Sequence, residues 1–119
     1  MNEGAPPREV TAGAARFARR SFHAAHEDFE TAWRRARGEE RLVLQALVQV
    51  AAAFHHLDRG RMRQTGVLLR RALAKLDGDP GVAWIHVPAL RTSLERALDQ
   101  LSRGVTPAVP DLQSLLDES

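Results

Sequence analysis

Residues 39–57 read EERLVLQALVQVAAAFHHL, and this stretch decides the fold. Leu44, Leu47, Val48, Ala51, Phe54 and Leu57 recur at spacings of three and four, the period of one helix face. Glu39 and Glu40 stand where the helix dipole favours negative charge. The alanines at 51, 52 and 53 permit close approach by a neighbouring helix. The spacing therefore predicts a helix over 39–57, the most buried of the chain. It is not a membrane span, because Gln45, Gln49, His55 and His56 interrupt the apolar run. Asp58-Arg59-Gly60 closes it with a turn signal.

Outward from this helix, the same period continues on both sides. Upstream, Phe22, Phe29 and Trp33 form a stripe within an expected helix over 10–37, with Thr11 as its N-cap and Gly38 just past its end. Downstream, Leu69, Ala72, Leu73 and Leu76 predict a helix over 62–76, which Asp77-Gly78-Asp79-Pro80-Gly81 breaks. Residues 82–87 read as an ordered loop in which Trp84 and Ile85 pack over the core. Pro88 suits a first helical turn, and Leu90, Leu94, Ala97, Leu98 and Leu101 carry the next helix to Gly104. After a linker, Asp111 caps a last short helix through Leu116.

No alternating pattern is long enough to build a sheet. The expectation is an all-α domain of four main helices in an antiparallel bundle or array, with a short C-terminal helix. Residues 1–9 are expected as a flexible N-terminal tail, 10–104 as the helical domain, and 105–119 as linker and short helix. Leu47, Val48, Ala51, Leu69, Leu73, Leu94 and Leu98 are the expected core.

The chain has 119 residues, the size of one domain, and its 44% hydrophobic and 27% charged residues are values for a folded protein. It contains no cysteine, which excludes disulfides, thiolate metal sites and a thiol nucleophile. The N-terminus has no signal-peptide stretch, so a cytoplasmic location is expected. The sequence pI of about 10.3 beside a net charge of +2 reflects basic residues that are nearly all arginine, Lys75 being the sole lysine. Arg59, Arg61 and Arg63 cluster at one turn, yet acids are interspersed elsewhere and there is no tyrosine. Nucleic acid is accordingly not the expected partner, and a nucleic-acid-associated accessory protein is the lowest-ranked of the functional readings. No membrane association is expected, and a homodimer or other homo-oligomer is left open.

No Walker loop, Rossmann glycine pattern, G-x-S-x-G elbow or paired E-x-x-H motif is present. The sharpest local pattern is His26-Glu27-x-x-Glu30. His26 and Glu30 are four apart and share a helix face. Two readings stand. In one, His26 and Glu30 bond to each other, Trp33 covers them, and Gln49 of the next helix meets them in a polar binding cluster. In the other, His26 and Glu30 ligate zinc or another divalent ion with His55 or His56, and Glu27 is the general base of a metal-dependent hydrolase. The first is preferred, as a small helical binding or interaction module without a cofactor. Whether the protein is an enzyme is left open.

The run Ala25-His26-Glu27-Asp28-Phe29-Glu30-Thr31-Ala32-Trp33 resembles the A-H-E-x-x-E-x-x-W signature of domain-of-unknown-function family 309. Residues 44–55, LQALVQVAAAFH, resemble a second segment of that family, with Ala46 where the family usually has glycine. Gly66, Leu68 and Leu69 fall where it has a glycine step and a leucine pair. The similarity covers about Phe22 to Leu76. It implies a small helical fold and brings no activity with it.

Overall fold

The expected first helix is two helices. The computed structural model describes residues 4–117, and in it α1 spans Arg8–Ala18 and α2 spans Phe22–Arg35. Between them Arg20 takes a left-handed conformation, with φ 62°. Its N–H donates to the Phe17 carbonyl at 3.0 Å, and the Ser21 N–H donates to the Arg16 carbonyl at 2.9 Å. This is the Schellman closure of a helix end. The same pair of bonds ends two later helices, at Gly60 and Gly104, where glycine supplies the positive φ without a Cβ penalty. At the first break arginine takes that place, so no glycine or proline marks it in the sequence. The bend sets Phe17 against Phe22 at 4.9 Å between ring centroids, and Phe54 lies 5.6 Å from Phe17. All three rings are buried.

Helix α3 spans Gly38–Asp58, α4 Met62–Lys75, α5 Val87–Ser102 and α6 Leu112–Leu115. Helix α1 starts at Arg8 with Pro7 at the cap position, so Thr11 is inside the helix and not its N-cap. Consecutive helices from α1 to α5 pack on one another, and α6 lies against α1 and α5 to close the array. Among the described residues no strand forms; the sole bridge pairs Ile85 with Leu116. It is extended by His86 N–H to the Leu115 carbonyl and Asp117 N–H to the Trp84 carbonyl, which fasten the C-terminal segment onto 84–86. Asp111 accepts from the Ser114 N–H at 3.3 Å, the expected cap. The expected tail over 1–9 includes residues 1–3, which lie outside the described residues, as do 118–119. Glu9, at its other end, is helical and ion-paired with Arg35.

The core follows the periodic stripes. Leu47, Ala51, Leu69 and Leu94 are fully buried, whereas Val48, Leu73 and Leu98 are partly buried at its edge. Trp84 is the largest fully buried side chain, and its indole N–H donates to Glu40 at 2.9 Å. Glu39 accepts from the Gly81 N–H at 2.7 Å. The two acids at the start of α3 thus tether the 81–84 loop as well as favouring the helix end. Thr65 is the buried polar residue of the core, and its hydroxyl reaches the Ala53 carbonyl of α3 at 3.2 Å and the Arg61 carbonyl at 2.9 Å.

Candidate functional site

Because α3 packs on α2 along one flank and α4 along the other, a strip of it stays half exposed between them. Gln45, Gln49, Ala52 and His56 recur along this strip at helical spacing. Two of these carry buried polar atoms that meet no partner, Gln49 Oε1 and His56 Nδ1. On α2, the Trp33 indole Nε1 is a third. Buried polar groups in folded proteins are nearly always bonded, so three such atoms on adjoining helices call for a reason.

The expected cluster is rearranged. His26, Glu30, Trp33 and Gln49 are all half-exposed. Glu30 does not pair with His26; it accepts from Arg34, one turn on, at 2.6 Å. Arg34 stands in the same i, i+4 relation to Glu30 as His26 does on the other side, and it brings a permanent charge on a longer stem. Trp33 is covered by a residue that the periodicity did not single out. The Arg41 guanidinium lies 4.1 Å from the centre of the indole, and its Nη1 donates to the Trp33 carbonyl at 3.2 Å. Among the described residues, no hydrogen bond joins Gln49 to His26, Glu30 or Trp33.

Four of the five histidines form a chain of rings instead. His26 stacks on His23 with centroids 6.3 Å apart and an interplanar angle of 9°. His23 lies 5.5 Å from His55 across the α2–α3 contact, and His55 lies 6.1 Å from its neighbour His56. Burial holds the His55 imidazole below its ordinary pKa, helped by the Arg59 charge and by His23, His56 and Arg61. Arg59 Nε also donates to His55 Nε2 at 3.2 Å, a bond open only to the neutral ring. Glu27, the expected general base, is exposed and sits 3.7 Å from His23. Among the described residues, no three of the histidines and acids converge as a ligand group for one metal ion. His86, the fifth, caps α5 by accepting from the Ala89 N–H at 3.1 Å.

On the α4 side of the strip a cavity of about 290 Å³ opens beside His56. Val67 and Leu68 line it together with Arg63, Gln64 and Arg71. In the sequence His56 reads as a possible metal ligand, Arg63 as part of a turn cluster and Leu68 as part of the family's leucine pair, and nothing in the periodicity brings them to one cavity. The signal that could have found it is the absence of any acid from Arg59 to Leu76. A larger open cleft, about 1020 Å³, lies between residues 5–7, the α2–α3 junction and the 81–84 loop. Much of its polar lining is already engaged: Arg35 with Glu9, Glu39 with the Gly81 N–H and Glu40 with Trp84.

Residues 10–66 match the family model described as Domain of unknown function (DUF309). The match takes in α1, α2, α3 and the start of α4, and it holds both quoted segments, including His26, Glu27, Glu30, Trp33 and Gln49. It begins earlier than the resemblance read from the residues and ends at Gly66, just before the leucine pair. Comparison with curated proteins gives no match.

Proposed function

We propose that this chain is a small helical binding module whose ligand-facing surface is the half-exposed polar face of α2 and α3, with His26, Trp33 and Gln49 as its central residues. The observation that carries this reading is the pair of unsatisfied groups on that face, the Trp33 Nε1 donor and the Gln49 Oε1 acceptor. A bundle that needed only stability would place apolar side chains there, since each unbonded group costs desolvation energy and returns nothing. A ligand carrying both an acceptor and a donor recovers those bonds after side-chain rotation. The family match supports the reading to the extent that the matched segment contains all three residues.

The test is a ligand-observed fragment screen by nuclear magnetic resonance, with hits mapped by side-chain resonances of the protein. The expected result is a set of saturable hits that shift the Trp33 indole and Gln49 amide signals and lose affinity in Gln49→Met. Hits that scatter over the surface, or none, would remove the proposal.

A further inference from the structure

We infer that the cavity beside His56 is a binding site for a small organic anion, a phosphate monoester or carboxylate joined to one compact apolar group. The site lies on the α4 side of α3 and goes beyond the α2–α3 face just described. Three observations converge on it. The first is charge. The segment Arg59 to Leu76 carries Arg59, Arg61, Arg63, Arg70, Arg71 and Lys75 and no acid, and Arg63 and Arg71 both line the cavity. Among the described residues neither has an ion-pair partner, so both guanidiniums are available to an anion, unlike Arg16, held by Asp28, or Arg35, held by Glu9. Asp58 and Asp77 flank the segment, and Asp58 is held by Arg20.

The second is shape and lining. Val67 and Leu68 give the cavity an apolar wall, and its volume of about 290 Å³ is at the small end for ligand pockets. That combination fits a ring or short chain bearing one anionic head. It does not fit a nucleic-acid strand, which would need a long track and stacking aromatics. The third is His56. Its Nδ1 is buried without a partner, so the ring is not fixed by any bond at that atom. Rotation about the Cβ–Cγ bond turns a ring nitrogen toward the cavity at no loss of an existing bond there. With the Gln64 amide, the site then offers a neutral donor beside two guanidiniums, which is a donor set for anionic oxygens.

Phenyl phosphate and benzoate serve as probes, with benzyl alcohol and inorganic phosphate as the two half-ligands. Titrations are followed on the His56 ring protons and the Leu68 methyls, which report on this cavity and not on Trp33 or Gln49. The expected result is saturable shifts with at least one anionic probe, and binding at least about tenfold weaker for benzyl alcohol and for inorganic phosphate. Comparison of the two anionic probes tells phosphate ester from carboxylate. Arg63→Gln with Arg71→Gln should weaken the better probe by about tenfold or more, whereas Arg70→Gln, outside the cavity lining, should leave it unchanged. Absence of saturation at about 10 mM would overturn the site. So would equal binding of inorganic phosphate and phenyl phosphate, or equal loss in Arg70→Gln, each of which reduces the region to a charged surface. Any of these failures leaves the α2–α3 face untouched, because its own screen reads different residues.

Discussion

The Arg41 guanidinium sits 4.1 Å from the centre of the Trp33 indole while donating to the Trp33 carbonyl at 3.2 Å, so one side chain joins the start of α3 to the end of α2. It adds a charge-assisted bond to a C-terminal carbonyl that also accepts from the Ala36 N–H at 3.1 Å, at the end where the helix dipole favours positive charge, and a longer contact of 3.5 Å reaches the Ala36 carbonyl. Arg91 stands likewise at the end of α4, donating to the Leu76 carbonyl at 3.0 Å beside the Asp79 N–H, which donates to the same carbonyl at 3.1 Å.

Truncation of Arg41 therefore has a cost that an exposed arginine would not ordinarily carry. Arg41→Ala should destabilise by about 1–2 kcal/mol, combining a cation–π contact with a lost charge-assisted bond. Arg41→Lys should recover only part, since an ammonium cannot stack and bond at once. Urea unfolding followed by tryptophan fluorescence measures both.

Gly13 supplies the opposite of the usual glycine effect. It is buried in the middle of α1, where alanine normally gains about 1 kcal/mol. Here a Cβ would stand 2.6 Å and 2.9 Å from two ring carbons of Phe29, itself fully buried. Gly13→Ala should therefore destabilise, by about 1–3 kcal/mol, the range for overpacking a core. Adding Phe29→Leu should remove most of the additional cost of the Cβ, which a double-mutant cycle of denaturant midpoints would read.

Acid should weaken the fold in two stages. His55 has a folded pKa below its ordinary 6.5, so the unfolded chain takes up that proton first and stability declines as pH falls below 6.5. Glu9 is held down to about 2, first by its hydrogen bond from Arg35, and the two side chains form a pair of bonds at 2.7 and 2.8 Å. Its contribution is complete above about 4.5 and is lost as pH falls toward 2. Because Arg35 is largely exposed, solvent screening keeps the contribution of the pair small. Glu9→Gln should be less stable than wild type at pH 6 and should approach it by pH 2. Parallel midpoints that stay equally separated over that range would contradict the assignment.

The helices over 39–57, 62–76 and from Pro88 onward were legible because each carries an apolar stripe bounded by glycine or proline. The break at Arg20 was not, because an arginine performs there what Gly60 and Gly104 perform elsewhere, and the ring that Phe17 and Phe22 both meet, Phe54, is far away in sequence. The same applies to the candidate site. Periodicity placed His26, Glu30 and Trp33 on one helix and directed attention to Gln49, but it could not rank competitors for a carboxylate. Arg34 sits four residues after Glu30 just as His26 sits four before it, and the choice between them depends on reach and charge. Likewise, the cover on Trp33 comes from Arg41, whose exposed position in the helix pattern gave no hint of a packing role.

If the polar face of α2 and α3 is kept for a ligand, as proposed, it is kept at the expense of stability. Gln49 isolates that idea, since its Oε1 is buried and accepts no hydrogen bond. Gln49→Met keeps the length and approximate volume of the side chain while removing the unsatisfied amide. The decisive measurement is the urea midpoint of this variant against wild type at neutral pH. A gain of about 1 kcal/mol is the predicted result, since an unbonded buried polar group is replaced by an apolar one. A lower midpoint for Gln49→Met would mean that the amide contributes to folding, and would contradict the assignment of this face as a binding surface.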